Sequence, residues 1–155
     1  MNTVIIFGAS YLYLVSIALY AFALWKSKKK ERIGILLLSA FSFPATFIIG
    51  KASGYVISDP RPFITDHIKP LIAHVADNGF PSDHTLLTMT IASVIFVYHR
   101  KLGIVLFAFA LLVGTSRVLA HIHHPLDIIG ASVIAIGATS ACFLTGKKLF
   151  KRYME

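Results

Sequence analysis

Five apolar segments, each near the length of a bilayer-crossing helix, leave this 155-residue chain few ways to fold. They run from Val4 to Leu24, Ile33 to Ile57, Ser82 to Tyr98, Leu102 to Ala120 and Pro125 to Gly146. Hydrocarbon offers the backbone no water, so each segment must satisfy its own polar groups, as a helix does. Only 14% of residues are charged and 56% are hydrophobic, whereas soluble domains carry roughly 25% charge. The expectation is an all-α, polytopic membrane bundle of about five transmembrane helices, forming one membrane-embedded domain over residues 1–155. Pro44 predicts a kink in the second segment. The third and fourth reach spanning length only by including His84 and Arg117. The first lacks a basic leader, is too long for a signal-peptide core, and reads as a retained helix. The single cysteine, Cys142, has no intramolecular partner and reads as a small apolar packing residue.

The basic residues set an orientation. Eleven of the 15 lysines and arginines fall in three places: Lys26 to Arg32, Arg100-Lys101, and Lys147, Lys148, Lys151 and Arg152. Five crossings put all three on one side, which the positive-inside rule makes cytoplasmic. The N-terminus is then outside and the C-terminus inside. The net charge of +8 records this topology rather than an affinity for nucleic acid.

The polar motifs fall on the opposite, outer side. They are Asp59-Pro60-Arg61-Pro62, Pro81-Ser82-Asp83-His84, and Ser116-Arg117 followed by His123 and Asp127. Ionisable groups beside hydrocarbon are costly and mark function. Between the first two motifs, Ile68, Leu71, Ile72 and Val75 recur at helical spacing. They predict a short interfacial helix over residues 68–77, with His67 and His74 at the interface. His99, beside Arg100 and Lys101, reads as solvated.

Pro125 suits the first turn of a helix. Asp127 then lies in that turn, four residues after His123, within reach of the Nδ1 proton of His123. That arrangement fixes the tautomer and frees Nε2 as a nucleophile or base. Arg117 and Arg61 are fixed cations suited to phosphate oxygens. Ser82 precedes a helix N-terminus, where unpaired N–H groups bind anions, and His84 stands beside that anion as a proton donor. These are the parts of a phosphoryl-transfer site. His121, His123, His124 and Asp127 could also be read as a metal cluster, but their spacing lacks a zinc pattern and two arginines adjoin them. A helical protein that only binds an anionic lipid or transports it would use the arginines and have no need of an oriented histidine.

The pattern Arg61-Pro62, Pro81-Ser82-x-His84 and Ser116-Arg117-x5-His123-x3-Asp127 resembles the type-2 phosphatidic acid phosphatase superfamily. Pro60 to Phe63, Ala76-Asp77, Phe80 to His84 and His123 to Pro125 are similar to bacterial undecaprenyl-diphosphate phosphatases of the bacitracin-resistance type. The resemblance implies His123 as the nucleophile that forms a phosphohistidine, Asp127 as its orienting group, and His84 as the acid and then the base. Arg61, Arg117, Ser82 and the backbone N–H of Asp83 would hold the phosphoryl oxygens. It implies no metal or other cofactor. The substrate it implies is a membrane lipid, undecaprenyl diphosphate first, with phosphatidylglycerophosphate, phosphatidic acid and lipid A phosphates as alternatives. The implied location is the outer face of a bacterial plasma membrane. Two positions depart from the superfamily. Gly54 stands where it has lysine, with Lys51 three residues earlier on roughly the same helical face. Asp83 stands where many members have glycine, so its side chain is expected to point away from the phosphate.

Overall fold

The computed structural model describes residues 2–149, so Lys151 and Arg152 of the terminal basic cluster lie outside the described residues. The described chain is all helical, without a strand. The helices are α1 (Asn2–Ser10), α2 (Leu12–Lys26), α3 (Lys29–Val56), the single turn α4 (Pro62–Thr65), α5 (Asp83–Tyr98), α6 (Arg100–Leu119) and α7 (Pro125–Leu149). Helices α3, α6 and α7 are long and apolar enough to cross a membrane, and α1 with α2 would make a fourth span bent by 44°. Helix α3 continues through Pro44 without interruption.

Helix α5 has only 16 residues and lies at the centre, packed on α2, α3, α6 and α7. It is buried on nearly every side, from Thr85 to Ile95, as expected of a helix without a polar face. A helix enclosed by protein does not need a full bilayer length of lipid-facing apolar residues. Its hydroxyls are absorbed locally: Thr88 donates to the His84 carbonyl, Thr90 to Leu86 and Ser93 to Met89. Around it, Phe7, Leu14, Phe41, Phe47, Leu111 and Val133 face outward, among many other exposed apolar side chains. A belt this large on an isolated chain marks a surface that meets lipid.

The connections at one end are tied together. Ser27, between α2 and α3, has its hydroxyl 2.8 Å from Nε2 of His99, between α5 and α6. His99 is thus half-buried and hydrogen-bonded, not solvated as expected. Arg32 closes the same end by donating to the last carbonyls of α2, at Leu24 and Trp25, and to Ser27.

The outer connection differs from its expectation. Residues 66–80 form an irregular loop, and no helix covers residues 68–77. Pro70 sits inside the apolar pattern; it lacks an N–H and disfavours helix at Lys69. The apolar residues instead act individually. Leu71 and Ile72 pack against Ala9, Ala120 and Ile122, and the Leu71 N–H donates to the Ala120 carbonyl at 3.1 Å.

Candidate active site

The loop returns to the bundle through Asn78. Its Oδ1 accepts from the backbone N–H groups of Asp59 and Phe80, at 2.9 and 3.2 Å. Its Nδ2 donates to the carbonyls of Gly54 and Ile57, at 2.7 and 2.9 Å. One amide thereby joins the end of α3, the extended segment before Arg61 and the approach to α5. The segment before Arg61 also pairs with the loop at Pro60 and Asn78.

Helix α6 ends in a tight cap just after Arg117. The His121 N–H donates to the Val118 carbonyl and the Ile122 N–H to the Arg117 carbonyl, with His121 in the left-handed region at φ 59°. This is the Schellman arrangement, here with histidine where glycine is usual. It turns the chain so that Ile122 is buried and His123 faces Arg61 and Arg117. His121 therefore belongs to the turn, apart from the polar cluster around Asp127.

The site gathers around His123, which is 2% exposed. Its Nδ1 lies 3.0 Å from Asp127 Oδ2. Its Nε2 lies 3.2 Å from Arg61 Nη1 and 3.3 Å from Arg117 Nη2. Arginine only donates, so Nε2 carries the lone pair and Nδ1 carries the proton. Burial, then the Arg117 and Arg61 charges, holds His123 below the usual histidine range against the opposing pull of Asp127. The imidazole therefore favours its neutral form, with the Nε2 lone pair free of a proton.

Both guanidinium groups are anchored from behind. Arg61 Nε donates to Asp77 at 2.6 Å and its Nη1 to the Ile122 carbonyl at 2.7 Å. Arg117 Nη1 donates to the Ala9 carbonyl at 3.0 Å. That contact falls where α1 gives way to α2, and a side chain inserted into a helix's hydrogen-bond ladder is a recognised cause of a bend. Asp77, unmarked by charge pattern in the sequence, is kept below the usual carboxylate range: burial pushes it up, and the Arg61 hydrogen bond and charge outweigh that.

A cavity of about 520 Å³ opens over these groups. Arg61, Arg117, His123, His84, Lys51 and Asp83 are among its walls. His84 stands edge-on to Tyr13, with ring centroids 4.9 Å apart. Lys51 and Asp83 pair at the mouth, at 3.3 Å and largely exposed. Ser82 lies behind the wall, fully buried; its hydroxyl accepts from Thr85 at 3.1 Å. Gly54 also borders the cavity, and a Cβ there would meet the Phe80 carbonyl at 2.9 Å. His74, expected at the interface with substrate contact as the alternative, lines the cavity, its ring 6.4 Å from that of His123. Asp59, His124 and Asp127 lie outside the cavity wall, each with one ligating atom within 4.8 Å of the others.

A membrane-embedded helical bundle with a basic pocket around an oriented histidine defines a class of phosphoryl-handling proteins. The chain belongs to the PAP2 superfamily, whose family model matches residues 33–151. It is 32% identical over 151 residues to the bacitracin transport permease protein BcrC of Bacillus licheniformis, covering 96% of this chain and 73% of that protein. It is 32% identical over 136 residues to undecaprenyl-diphosphatase BcrC of Bacillus subtilis, covering 88% and 70%. The crystal structure of Aquifex aeolicus LpxE shares the fold with a TM-score of 0.65 at 24% identity, covering 92% of this chain and 82% of that one.

Proposed function

We propose that the protein is a lipid phosphatase that hydrolyses undecaprenyl diphosphate to undecaprenyl phosphate through a phosphohistidine. The observation that carries this reading is the His123 Nε2 lone pair, held between two guanidinium groups while Nδ1 is tied to Asp127. Nε2 attacks the terminal phosphorus, and the bond from phosphorus to the bridging oxygen breaks. His84 gives the departing lipid phosphate a proton. It then takes one from the water that attacks the phosphohistidine, releasing inorganic phosphate and regenerating the Nε2 lone pair. Arg61 and Arg117 stabilise charge on the transferring oxygens. The Asp83 N–H and Lys51 serve the rim of the site, and Ser82 shapes the helix terminus from behind. These residues belong to one domain, and no step requires a metal or other cofactor.

Two features support a lipid diphosphate over other phosphate esters. Undecaprenyl-diphosphatase is the name of a relative at 32% identity. An apolar groove lined by Phe43, Phe47, Leu86 and Leu87 also shares Asp83 with the mouth of the pocket, so a lipid tail can lie along it. The bundle is read as five spans, with enclosed α5 as the third. The N-terminus is outside, and the pocket opens on the extracytoplasmic face of a bacterial plasma membrane. The basic connections tied by Ser27 and His99 lie at the other end.

Phosphate release by the purified protein in detergent with EDTA tests the reading. Undecaprenyl diphosphate, phosphatidylglycerophosphate and phosphatidic acid are compared at equal mole fraction. Preference for the diphosphate, abolished in His123→Ala, is expected. Preference for a monophosphate lipid would move the protein to phospholipid or lipid A metabolism. A folded protein that binds these lipids and releases no phosphate would make it a binder or transporter.

A further inference from the structure

The carboxylate that holds His123 is itself incompletely held. Asp127 is fully buried. Its Oδ2 accepts from His123 Nδ1 at 3.0 Å and from the His124 N–H at 2.9 Å. Its Oδ1 is buried with no partner. A bare carboxylate oxygen in that position is costly, and His124 Nδ1 in the same cluster is likewise buried without a hydrogen bond. Arg61 donates to Asp77, Ile122 and His123, and Arg117 to Ala9 and His123. His124 Nδ1 lies 2.9 Å from Asp59 Oδ1.

Asp59 is the acidic neighbour, with an oxygen within 4.8 Å of the Asp127 carboxylate. Its side chain is only 19% exposed. Its backbone is fixed on both sides, the N–H to Asn78 and the carbonyl to the Gly79 N–H at 2.8 Å. Gly79 closes the cluster: a Cβ there would lie 2.8 Å from Asp127 Oδ2 and 3.1 Å from the Asp59 carbonyl. Two ionised carboxylates this close repel, and one shared proton removes the repulsion while supplying the missing donor. We propose that Asp59 is a positioning residue that keeps a proton and donates it in a hydrogen bond to Asp127 Oδ1, clamping the carboxylate that orients His123. Burial first, and the Asp127 charge next, hold the Asp59 carboxyl above the usual range, with His124 pulling the other way. The proposal rests on the reading of His123 as the nucleophile.

Asp59→Asn and Asp59→Ala separate a proton from a mere filler. The asparagine amide can still donate to Asp127 and keeps an oxygen beside His124 Nδ1. With undecaprenyl diphosphate, D59A is expected to lower kcat at least about tenfold with KM little changed, the scale of losing a supporting partner. D59N is expected to stay near wild type. Wild-type activity should also fall as pH rises through the Asp59 pKa, a limb that D59N lacks. Infrared spectroscopy gives a readout independent of turnover: a protonated-carboxyl carbonyl band at neutral pH that D59N removes. The proposal fails if that band is absent from the wild type, if D59N is as impaired as D59A, or if D59A is unimpaired. Loss of wild-type activity in EDTA, restored by zinc and absent in D59N, would replace the proton with a cation. If the wild type releases no phosphate, the phosphatase reading fails while the infrared band still decides the state of Asp59.

Discussion

The Lys51 ammonium sits 3.3 and 3.4 Å from the two carboxylate oxygens of Asp83, tying α3 to the first turn of α5 across the mouth of the pocket. Both side chains are more than half exposed, so the pair itself adds at most about 1 kcal/mol to stability. On the proposed reading the pair is exchangeable, an arriving phosphate taking Lys51 from Asp83. Lys51→Met is expected to lower kcat/KM for the diphosphate about 10–100-fold, the worth of one charge-assisted hydrogen bond. A monophosphate lipid should lose less, since its single phosphoryl group sits deeper, on Arg61 and Arg117. Equal losses on both substrates would remove Lys51 from the rim.

Asn78 is expected to be the most sensitive residue of the outer loop. Asn78→Ala leaves the Gly54 and Ile57 carbonyls and the Asp59 and Phe80 N–H groups to solvent. A loss of about 1–2 kcal/mol is expected, read as a lower thermal midpoint in detergent, with weaker turnover as Arg61 drifts. An unchanged midpoint would mean that the loop is held elsewhere.

His121→Gly should stabilise the protein by up to about 1 kcal/mol, because the left-handed backbone at φ 59° penalises a Cβ. Activity should be retained, since His121 lies outside the polar cluster. A drop in activity with unaltered stability would give His121 a chemical role.

The acid limb of the pH profile should lie below the ordinary histidine range. Burial and the two arginines depress His123, so the nucleophile remains neutral as the pH falls past the free-histidine value near 6.5. The linkage has a matching sign. The group's stabilising effect is present above the unfolded pKa and is lost as the pH falls through the depressed folded pKa. Thermal midpoints measured across that window should fall more steeply in the wild type than in His123→Asn. Parallel curves would mean that His123 titrates normally.

Residues with short-range spacing were the legible ones. His123 and Asp127 meet because Pro125 starts a helix and places a carboxylate in its first turn. Arg61, His84 and Arg117 meet because they mark helix ends on the same side of alternating helices. The loop was less legible, because its apolar spacing mimics a helix that Pro70 prevents. Its contacts with Ala9 and Ile122 depend on residues more than fifty positions away. Asp59 and Asp77 stand within the quoted motifs, but their partners were hidden for the same reason, since neither those motifs nor the turn-like Asp77-Asn78-Gly79 run carries a mark of the partners it finds. His99 looked solvated from its basic neighbours, and only the packing of α2 beside α5 brings Ser27 to it.

The Ala9 carbonyl that receives Arg117 lies well before residue 33, where the family match begins. The structural support of Arg117 therefore reaches beyond the span that the family model matches. A version trimmed to the matched span would retain every motif residue and lose the backbone oxygen that holds one of the two arginines beside His123. Such a fragment would be expected to fold as a pocket with a wandering cation. When this protein is shortened or fused, the first helix counts as part of the pocket around His123.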